Sequence, residues 1–246
     1  MQPLFSIITI TFNAANELPA TLASVKAQTF TDYEHLIVDG KSKDNTVELA
    51  RNSGIANMRI TSEPDRGLYD AMNKGIRQAT GKYLIFLNAG DAFHAPETLK
   101  QIAETITTNH YPDIVYGQTQ LVDAERQFVG MRHLTAPEYL TFDCFKHGML
   151  VCHQAFIAKR ELAEMYDLKY RFSADYEWCL RCLKKMKTSA YTGTTIIDYL
   201  IAGITDKNHK ASLKERYHIM CDYYGTLPTI IRHIGFFVRN LKRKFS

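Results

Sequence analysis

Between residues 4 and 120 the sequence alternates short apolar runs with longer amphipathic stretches, and this alternation constrains the fold more than any other feature. The short runs are rich in β-branched residues, as buried strands are, and read LFSIITIT, YEHLIVDG, MRITSE and KYLIFLN. Stretches of helical length follow them, at about residues 14–28, 44–51, 67–79 and 96–107. Strands and helices in alternation predict βαβ units with right-handed crossovers. We therefore predict an α/β fold with a mostly parallel central sheet flanked by helices.

After residue 120 the order of elements changes. We predict a hairpin strand at RQFVGMRH, a further strand at LVCHQAFIA and a helix at SADYEWCLRCLKKM. No Pro/Gly/Ser linker or repeat divides the chain, which favours one domain with a mixed second half. The predicted domain is 1–211, with halves 1–120 and 121–211, followed by a helical tail at 212–246.

Composition excludes several classes of protein. The 246 residues are 46% hydrophobic, enough for a substantial core. The net charge of +4, from 30 basic and 26 acidic residues, gives no support for a nucleic-acid partner, and we expect none. Five cysteines, an odd number, do not form a disulfide framework and favour a reducing cytoplasm. We find no signal peptide and no apolar run of membrane-spanning length, so the predicted location is cytoplasmic.

Polar residues follow each of the first four predicted strands, in TFNAAN, VDGKSKDN, SEPDRG and NAGDAF. Because parallel strands end at one edge of a sheet, these residues should meet there. Converging carboxylates suit hydroxyl groups, amino groups or a divalent cation. Any single Asp is more often a helix cap or turn residue, but the set favours a binding site.

The sequence at this edge lacks the motifs that other common ligand classes require. A dinucleotide site needs a Gly-rich turn after the first strand, and TFNAANEL contains no glycine. GKS at 40–42 imitates the end of a phosphate loop, but His35 stands where that loop needs glycine. No Gly-x-Ser-x-Gly nucleophile elbow occurs. A sugar nucleotide remains as the candidate ligand.

Three ordered blocks resemble family 2 glycosyltransferases, together covering roughly residues 4 to 220. They are FSIITITFNAANELPATLASVKAQTFTDYEHLIVDGKSKDNT, EPDRGLYDAMNKGIRQATGKYLIFLNAGD and HQAFIAKRELAEMYDLKYRFSADYEWCLR. The resemblance implies the GT-A fold, with a Rossmann-like sheet, and an inverting transfer of a sugar from a nucleotide diphosphate. In particular, the chain is similar to bacterial members that build cell-surface polysaccharides, including the colanic acid type.

The resemblance also implies a set of donor-binding residues, with a preference for UDP-sugars. Phe12 stands where a tyrosine is common, and either ring can stack on a base. Asp39 would take the base or ribose edge, and the start of the third helix would offer free amides to phosphate. The implied nucleotide-sugar residues are Thr9, Thr11, Phe12, Asp39, Asp65, Gly67, Asn73 and Asn88.

NAGD occupies the place of the family's acidic metal motif, so the resemblance implies that Asp91 binds a divalent cation, Mn²⁺ or Mg²⁺. The chain departs from the motif, because Asn88 and Gly90 stand where carboxylates are common. Such an ion can be held by one or two carboxylates plus substrate phosphates.

Asp175 resembles the family's catalytic base, which accepts the proton of the attacking acceptor hydroxyl. Ala174 replaces a common neighbouring Glu, and the alternative for Asp175 is a helix N-cap, with Ser173 as a rival. His153 and Gln154 match a His-Gln pair that would contact the acceptor or donor sugar, although a structural histidine is an equal alternative. Cys179 and Cys182 are predicted packing residues, since no second pair completes a zinc site.

The tail segment LPTIIRHIGFFVRNLKRKFS combines an apolar face with basic residues, which suits an anionic membrane interface. The alternative is a helix docked on the domain or on a second subunit, so the oligomeric state is open. We therefore predict a peripheral enzyme at the inner face of the cytoplasmic membrane that transfers sugar to a glycan, predicted to be lipid-linked. The alternatives are a sugar-1-phosphate nucleotidyltransferase and a non-catalytic sugar-nucleotide-binding scaffold.

Overall fold

The computed structural model describes residues 2–201 and 209–244, without the side chains of 209 and 236–244. Its first half has the predicted alternation of strands and helices. The elements are β1 (Phe5–Thr11), α1 (Leu18–Lys26), β2 (Tyr33–Asp39), α2 (Thr46–Arg51), β3 (Met58–Ser62), α3 (Leu68–Gln78), β4 (Tyr83–Phe86), β5 (Ala92–Phe93) and α4 (Thr98–Thr108).

The second half contains a longer hairpin, two short 3₁₀ turns and three helices. Its elements are β6 (Ile114–Val122), β7 (Phe128–Met131), the 3₁₀ turns η1 (Phe142–His147) and η2 (His153–Ala155), β8 (Phe156–Lys159), α5 (Ala174–Lys185), β9 (Ser189–Leu200), α6 (His209–Tyr224) and α7 (Thr226–Lys244). The hairpin strand at 126–133 is confirmed as β7 and the helix in SADYEWCLRCLKKM as α5. The strand predicted for LVCHQAFIA is only partly correct, because residues 153–155 form η2 and only the end of the segment belongs to β8, which pairs over two residues with β4 and over three with β6.

All nine strands among the described residues belong to one sheet, ordered β3-β2-β1-β4-β8-β6-β9-β5, with β7 paired to β6. The first four strands in this order are parallel, and β1 aligns Thr11 with Asp39 at the end of β2. Beyond β4 the sheet is mixed, because β8 runs antiparallel to both β4 and β6. The prediction of a parallel first half and a mixed second half is therefore confirmed.

The core beneath the carboxyl ends of the strands is built from aromatic rings. The side chain of Trp178 on α5 is fully buried, and Tyr166 stacks on it at 5.3 Å. Phe86, the last residue of β4, meets the same indole edge-on at 5.7 Å. Rings of this size bury much apolar area in fixed geometry, so β4 and α5 are held rigidly together.

The first C-terminal helix, α6, packs on the domain. Ile219 on α6 is fully buried, and the Tyr223 hydroxyl donates a 2.6 Å hydrogen bond to Glu177 on α5. The predicted boundary at 211/212 therefore falls inside a helix that packs on the domain. Within the described ranges, no helix is both long enough and apolar enough to cross a membrane.

Candidate active site

The parallel strands bring their polar ends to one edge of the sheet. Asp39, which ends β2, is fully buried and accepts hydrogen bonds from Thr11 Oγ1 (2.9 Å), Ser62 Oγ (2.6 Å) and the Ser42 amide (2.9 Å). The Ser42 hydroxyl is a further donor. Burial would raise the pKa of Asp39, but these hydrogen bonds together lower it below the ordinary value. Asp39 is therefore an ionised group that ties β1, β2 and β3 together.

The two threonines of β1 lie inside this network. Thr9 is fully buried, and its hydroxyl shares a 2.9 Å hydrogen bond with His35 Nε2 of β2. Thr11 is 2% exposed and is engaged with Asp39. The structure thus gives both residues contacts within the sheet, and a role in lining the base pocket stays a prediction.

Phe12, by contrast, leaves the sheet and is 63% exposed. It lies beside Gly40, whose missing side chain leaves a narrow space. A Cβ built on Gly40 would come within 2.4 Å of Asp65 Oδ2 and 3.2 Å of the Phe12 ring. The Asp65 carboxylate and the Phe12 ring therefore lie close to the Gly40 backbone, too close for any side chain at position 40.

The N-terminus of α3 begins beside this space. The Gly67 amide donates a 2.8 Å hydrogen bond to Asp65 Oδ1, and Gly67 has φ of +113°, a conformation that glycine adopts readily. Asn73, predicted to contact the sugar, is instead buried: it donates to the Tyr166 carbonyl (3.0 Å) and accepts from the Tyr166 amide (2.6 Å). Its amide group thus fixes the chain before α5.

Hydrogen bonds from a threonine of α1 fix the NAGD turn. Thr21 Oγ1 donates to the Asp91 carbonyl at 2.7 Å and accepts from the Gly90 amide at 2.9 Å. Gly90 has φ of +98°, and a Cβ there would lie 2.8 Å from the Leu200 side chain at the end of β9. The turn is therefore closely packed and suited to glycine.

Asp91 is 5% exposed in this turn. Its Oδ2 accepts from Gln154 Nε2 (2.7 Å) and its Oδ1 from the Leu200 amide (3.1 Å). Burial raises the pKa of Asp91 to about 7, against the opposing effects of these hydrogen bonds and of the Arg126 charge. Arg126, in the turn between β6 and β7, donates a 2.6 Å hydrogen bond to the Gly90 carbonyl.

Asn88 provides the second polar side chain of this turn. Its buried Oδ1 has no hydrogen-bond partner among the residues that the structure describes. A buried acceptor without a partner costs free energy unless a ligand or solvent satisfies it. Asn88 and Asp91 thus offer two oxygen atoms of the type that hard divalent cations prefer.

His153 and Gln154 lie together in η2 and face different partners. Gln154 supports Asp91, as described, and its Oε1 accepts from the Cys152 thiol at 3.0 Å. His153 Nε2 lies 2.6 Å from the Tyr166 hydroxyl, and burial lowers the pKa of His153 to about 4. His153 is therefore neutral near pH 7 and serves as a hydrogen-bonding group of the core beneath the site.

Asp175 lies in the first turn of α5 and is half-buried. Glu215 of α6 fixes this end of the helix, because it accepts hydrogen bonds from three successive amides, those of 171, 172 and 173, at 2.8–2.9 Å. The Asp175 Oδ1 atom accepts from the Tyr69 hydroxyl (3.1 Å) and the Tyr176 amide (2.9 Å). Of the described residues, none donates a hydrogen bond to Oδ2.

A chain of direct contacts joins Asp91 to Asp175. It runs from Asp91 to Gln154, through the neighbouring His153 to Tyr166, and from Tyr166 to Tyr69 by ring stacking at 5.5 Å. Tyr69 then reaches Asp175. The two predicted carboxylates thus belong to one connected edge of the domain, although the sequence separates them by 84 positions.

Sequence reasoning missed four residues of this edge, Tyr69, Arg126, Tyr166 and Glu215. Tyr69 had a local signal, since it follows Gly67 in the quoted GLYDAMNKG segment. Tyr166 lies in the quoted block before Asp175, but nothing in its sequence position marks its contacts. Arg126 and Glu215 had no signal, because each lies far along the chain from the turn or helix end that it supports. The described residues contain no cluster of three or more His, Cys, Asp or Glu side chains able to hold a metal ion.

The comparisons with known proteins point to glycosyltransferases. The model of glycosyl transferase family 2 matches residues 6–166. PGL/p-HBAD biosynthesis glycosyltransferases of Mycobacterium tuberculosis and Mycobacterium bovis are 37% identical over 187 residues, 73% of this chain and 70% of theirs. The amylovoran biosynthesis glycosyltransferase AmsB of Erwinia amylovora is 27% identical over 196 residues, 73% of this chain and 64% of AmsB.

Solved structures show the same fold at low sequence identity. S. aureus TarS 1–349 matches with a TM-score of 0.71 and 17% identity, over 94% of this chain and 72% of that chain. TarS 1–349 in complex with UDP-GlcNAc matches with a TM-score of 0.69 and 19% identity, over 94% and 73%.

The chain belongs to glycosyl transferase family 2 and has the GT-A fold. It is therefore a transferase, which confirms the predicted family, fold and enzyme class. The nucleotidyltransferase and the non-catalytic scaffold are the less supported alternatives.

Proposed function

We propose that this enzyme is an inverting glycosyltransferase that moves a sugar from a nucleotide diphosphate, with UDP-sugars favoured, to a hydroxyl of a lipid-linked glycan in bacterial surface polysaccharide biosynthesis. The observation that carries the proposal is the connected edge that joins Asp91 to Asp175. The names of relatives, glycosyltransferases of PGL/p-HBAD and amylovoran biosynthesis, support a role in glycan biosynthesis. The TarS complexes with UDP and UDP-GlcNAc support the donor class.

Asp175 is the proposed base. With Oδ1 held by two donors, Oδ2 is the atom that can accept the proton of an acceptor hydroxyl. As the hydroxyl oxygen bonds to the anomeric carbon, the bond to the diphosphate breaks on the opposite face and its electrons leave with the diphosphate. Attack from the opposite face inverts the configuration at that carbon.

The donor's base is proposed to stack on the exposed face of Phe12, beside Asp65 and Gly40. The ring offers a stacking surface, and Asp65 offers an acceptor for ribose or sugar hydroxyls. Asp39 supports this pocket through its hydrogen bonds with Ser42 and Ser62. The start of α3 is proposed to offer backbone amides to phosphate oxygens.

The NAGD turn fits a divalent cation carried by the donor's phosphates. The unpartnered Oδ1 of Asn88 is a ready ligand, and a cation beside Asp91 would favour the charged form of that buried carboxyl. Such an ion, when bound, neutralises charge on the departing diphosphate. The side chain of Arg126 places a further positive charge, supplied by the protein, at the same turn.

Replacing Phe12 with alanine should weaken donor binding about tenfold, because stacking of a base on an aromatic ring contributes about 1–3 kcal/mol. The exposed ring contributes little to the core, so the melting temperature should stay unchanged. Calorimetric titration with UDP measures the affinity. Phe12→Tyr should bind normally, as should Phe128→Ala, which removes a ring of similar exposure on β7. Equal affinity of Phe12→Ala and the native protein would remove Phe12 from the pocket.

The apolar face of α7 is proposed to lie in an anionic membrane interface. Its described residues Ile230, Ile231 and Ile234 are 40%, 61% and 59% exposed. The basic residues from 239 to 244 follow in the sequence, where side chains lie outside the described part. The full chain should float with vesicles containing anionic lipid but not with neutral ones, and the double variant Ile231→Ser/Ile234→Ser should lose this binding. Equal flotation of both proteins would contradict the proposal.

The experiment that tests the function is release of nucleoside diphosphate from UDP-, GDP- and dTDP-sugars, with and without Mn²⁺. Weak hydrolysis of the correct donor is expected without acceptor, and faster release with lipid-linked glycan acceptors. Donor binding without any turnover, with acceptors supplied, would overturn the proposal in favour of a binding scaffold.

A further inference from the structure

We propose that Tyr69 is a positioning residue that holds Asp175 Oδ1 and so leaves Oδ2 directed to the acceptor hydroxyl. The inference rests on the proposed role of Asp175 as base. It starts from one contact across the site, the 3.1 Å hydrogen bond from the Tyr69 hydroxyl on α3 to Asp175 on α5.

Tyr69 is built to act as a donor. Its side chain is 7% exposed, and burial, followed by the negative charge of Asp175, raises the pKa of its hydroxyl well above the ordinary value. The hydroxyl is therefore protonated near pH 7. A hydrogen bond from a neutral donor favours the charged form of the carboxylate that accepts it.

The ring of Tyr69 is itself held in place. It stacks on Tyr166 at 5.5 Å with an interplanar angle of 27°. Tyr166 is fixed in turn at its backbone by Asn73 and at its hydroxyl by His153. Asn73 lies one turn after Tyr69 on α3, so the same helix carries the donor and clamps the ring against which the donor packs.

The other groups around Asp175 do not replace this contact. His153 is neutral at pH 7, because burial lowers its pKa to about 4, and burial keeps Tyr166 and Cys179 protonated by raising the pKa of each. The positive charge of Arg216, on α6, acts on Tyr69 and opposes the rise in its pKa, and the buried Arg216 Nε has no hydrogen-bond partner among the described residues. The side-chain hydrogen bond that reaches the carboxylate comes from Tyr69; the Tyr176 amide supplies the other.

The test is Tyr69→Phe, which keeps the stacked ring and removes only the hydroxyl. We expect kcat to fall about tenfold, because a hydrogen bond to the proposed base is lost. The KM for the donor should stay within about twofold of the native value, since uniform donor binding is untouched. Tyr83→Phe is the matched control: it removes another buried hydroxyl, bonded to the Pro112 carbonyl at 2.7 Å, and should leave kcat unchanged.

Combining Tyr69→Phe with Asp175→Asn separates the two proposals. If Tyr69 acts through the base, the double variant should be no slower than Asp175→Asn alone. A native kcat in Tyr69→Phe, together with a severe defect in Asp175→Asn, would overturn the positioning role and leave the base in place. A native rate in Asp175→Asn would overturn the base itself.

Should Tyr69→Phe fail to fold, 3-fluorotyrosine at position 69 keeps the packing and makes the hydroxyl a stronger donor. The kcat should then change, while the KM for the donor stays within about twofold of the native value. A native kcat in the fluorinated protein would overturn the proposal.

Discussion

Replacing Asp175 with asparagine should reduce turnover about 10³-fold, within the range of about 10²–10⁴ that general base catalysis contributes. Asparagine has nearly the shape of aspartate, and its Oδ1 can still accept the hydrogen bonds from Tyr69 and the Tyr176 amide. The second position becomes an NH₂ group, which donates and cannot take up a proton. The loss should therefore fall on kcat, with donor affinity within about twofold of native.

Rates of nucleoside diphosphate release and calorimetric donor titration give these two quantities. Asp222→Asn is the matched control, since this exposed carboxylate on α6 contacts only the Tyr170 hydroxyl, at 3.5 Å, among the described residues. It should keep the native rate. If Asp175→Asn turned over as fast as this control, the base would have to be sought elsewhere.

Replacing Asp91 with asparagine should raise the Mn²⁺ concentration needed for half-maximal turnover by at least about tenfold, and reduce turnover at saturating metal. Loss of an outer-sphere partner alone costs about 10- to 100-fold in metal affinity, and a direct ligand should cost no less. The change also disturbs the turn, because Asp91 accepts one hydrogen bond on each oxygen. The NH₂ group of the asparagine would have to face another donor, either Gln154 Nε2 or the Leu200 amide. One hydrogen bond would be lost, which costs about 1–3 kcal/mol in folding free energy.

Activity against Mn²⁺ concentration and urea unfolding measure these two effects separately. Glu125→Gln is a suitable control, because it removes an exposed carboxylate next to Arg126 in the same part of the fold. It should change neither quantity. A native Mn²⁺ response in Asp91→Asn would exclude Asp91 as a ligand, and an unchanged free energy of unfolding would exclude its structural role.

The first half of the fold follows from the sequence because short runs rich in apolar residues alternate with stretches of helical length. The parallel order then brings the end of β1 next to the end of β2, where Thr11 pairs with Asp39. The region before β8 was harder to predict. VCHQAFIA reads as one strand, yet His153 and Gln154 turn into η2, where their side chains meet Tyr166 and Asp91.

The site was predictable where motifs are local and hidden where contacts are long-range. NAGD and FSAD each stand at an element end, so Asp91 and Asp175 were accessible from the sequence. Asn73 also lies in a segment quoted for the resemblance, GLYDAMNKG, but its hydrogen-bond partner is the backbone of Tyr166, 93 positions away. Pattern alone cannot distinguish a polar group used by the fold from one left for a ligand, because both kinds lie at the same edge.

The configuration of the product tests the central proposal most directly. With the donor identified and an acceptor supplied, NMR of the new glycosidic linkage reports whether the anomeric centre has inverted. A single attack assisted by Asp175 predicts the configuration opposite to that of the donor, in native protein and in the residual product of Tyr69→Phe. Retention of the donor's configuration would contradict a single displacement and the role assigned to Asp175.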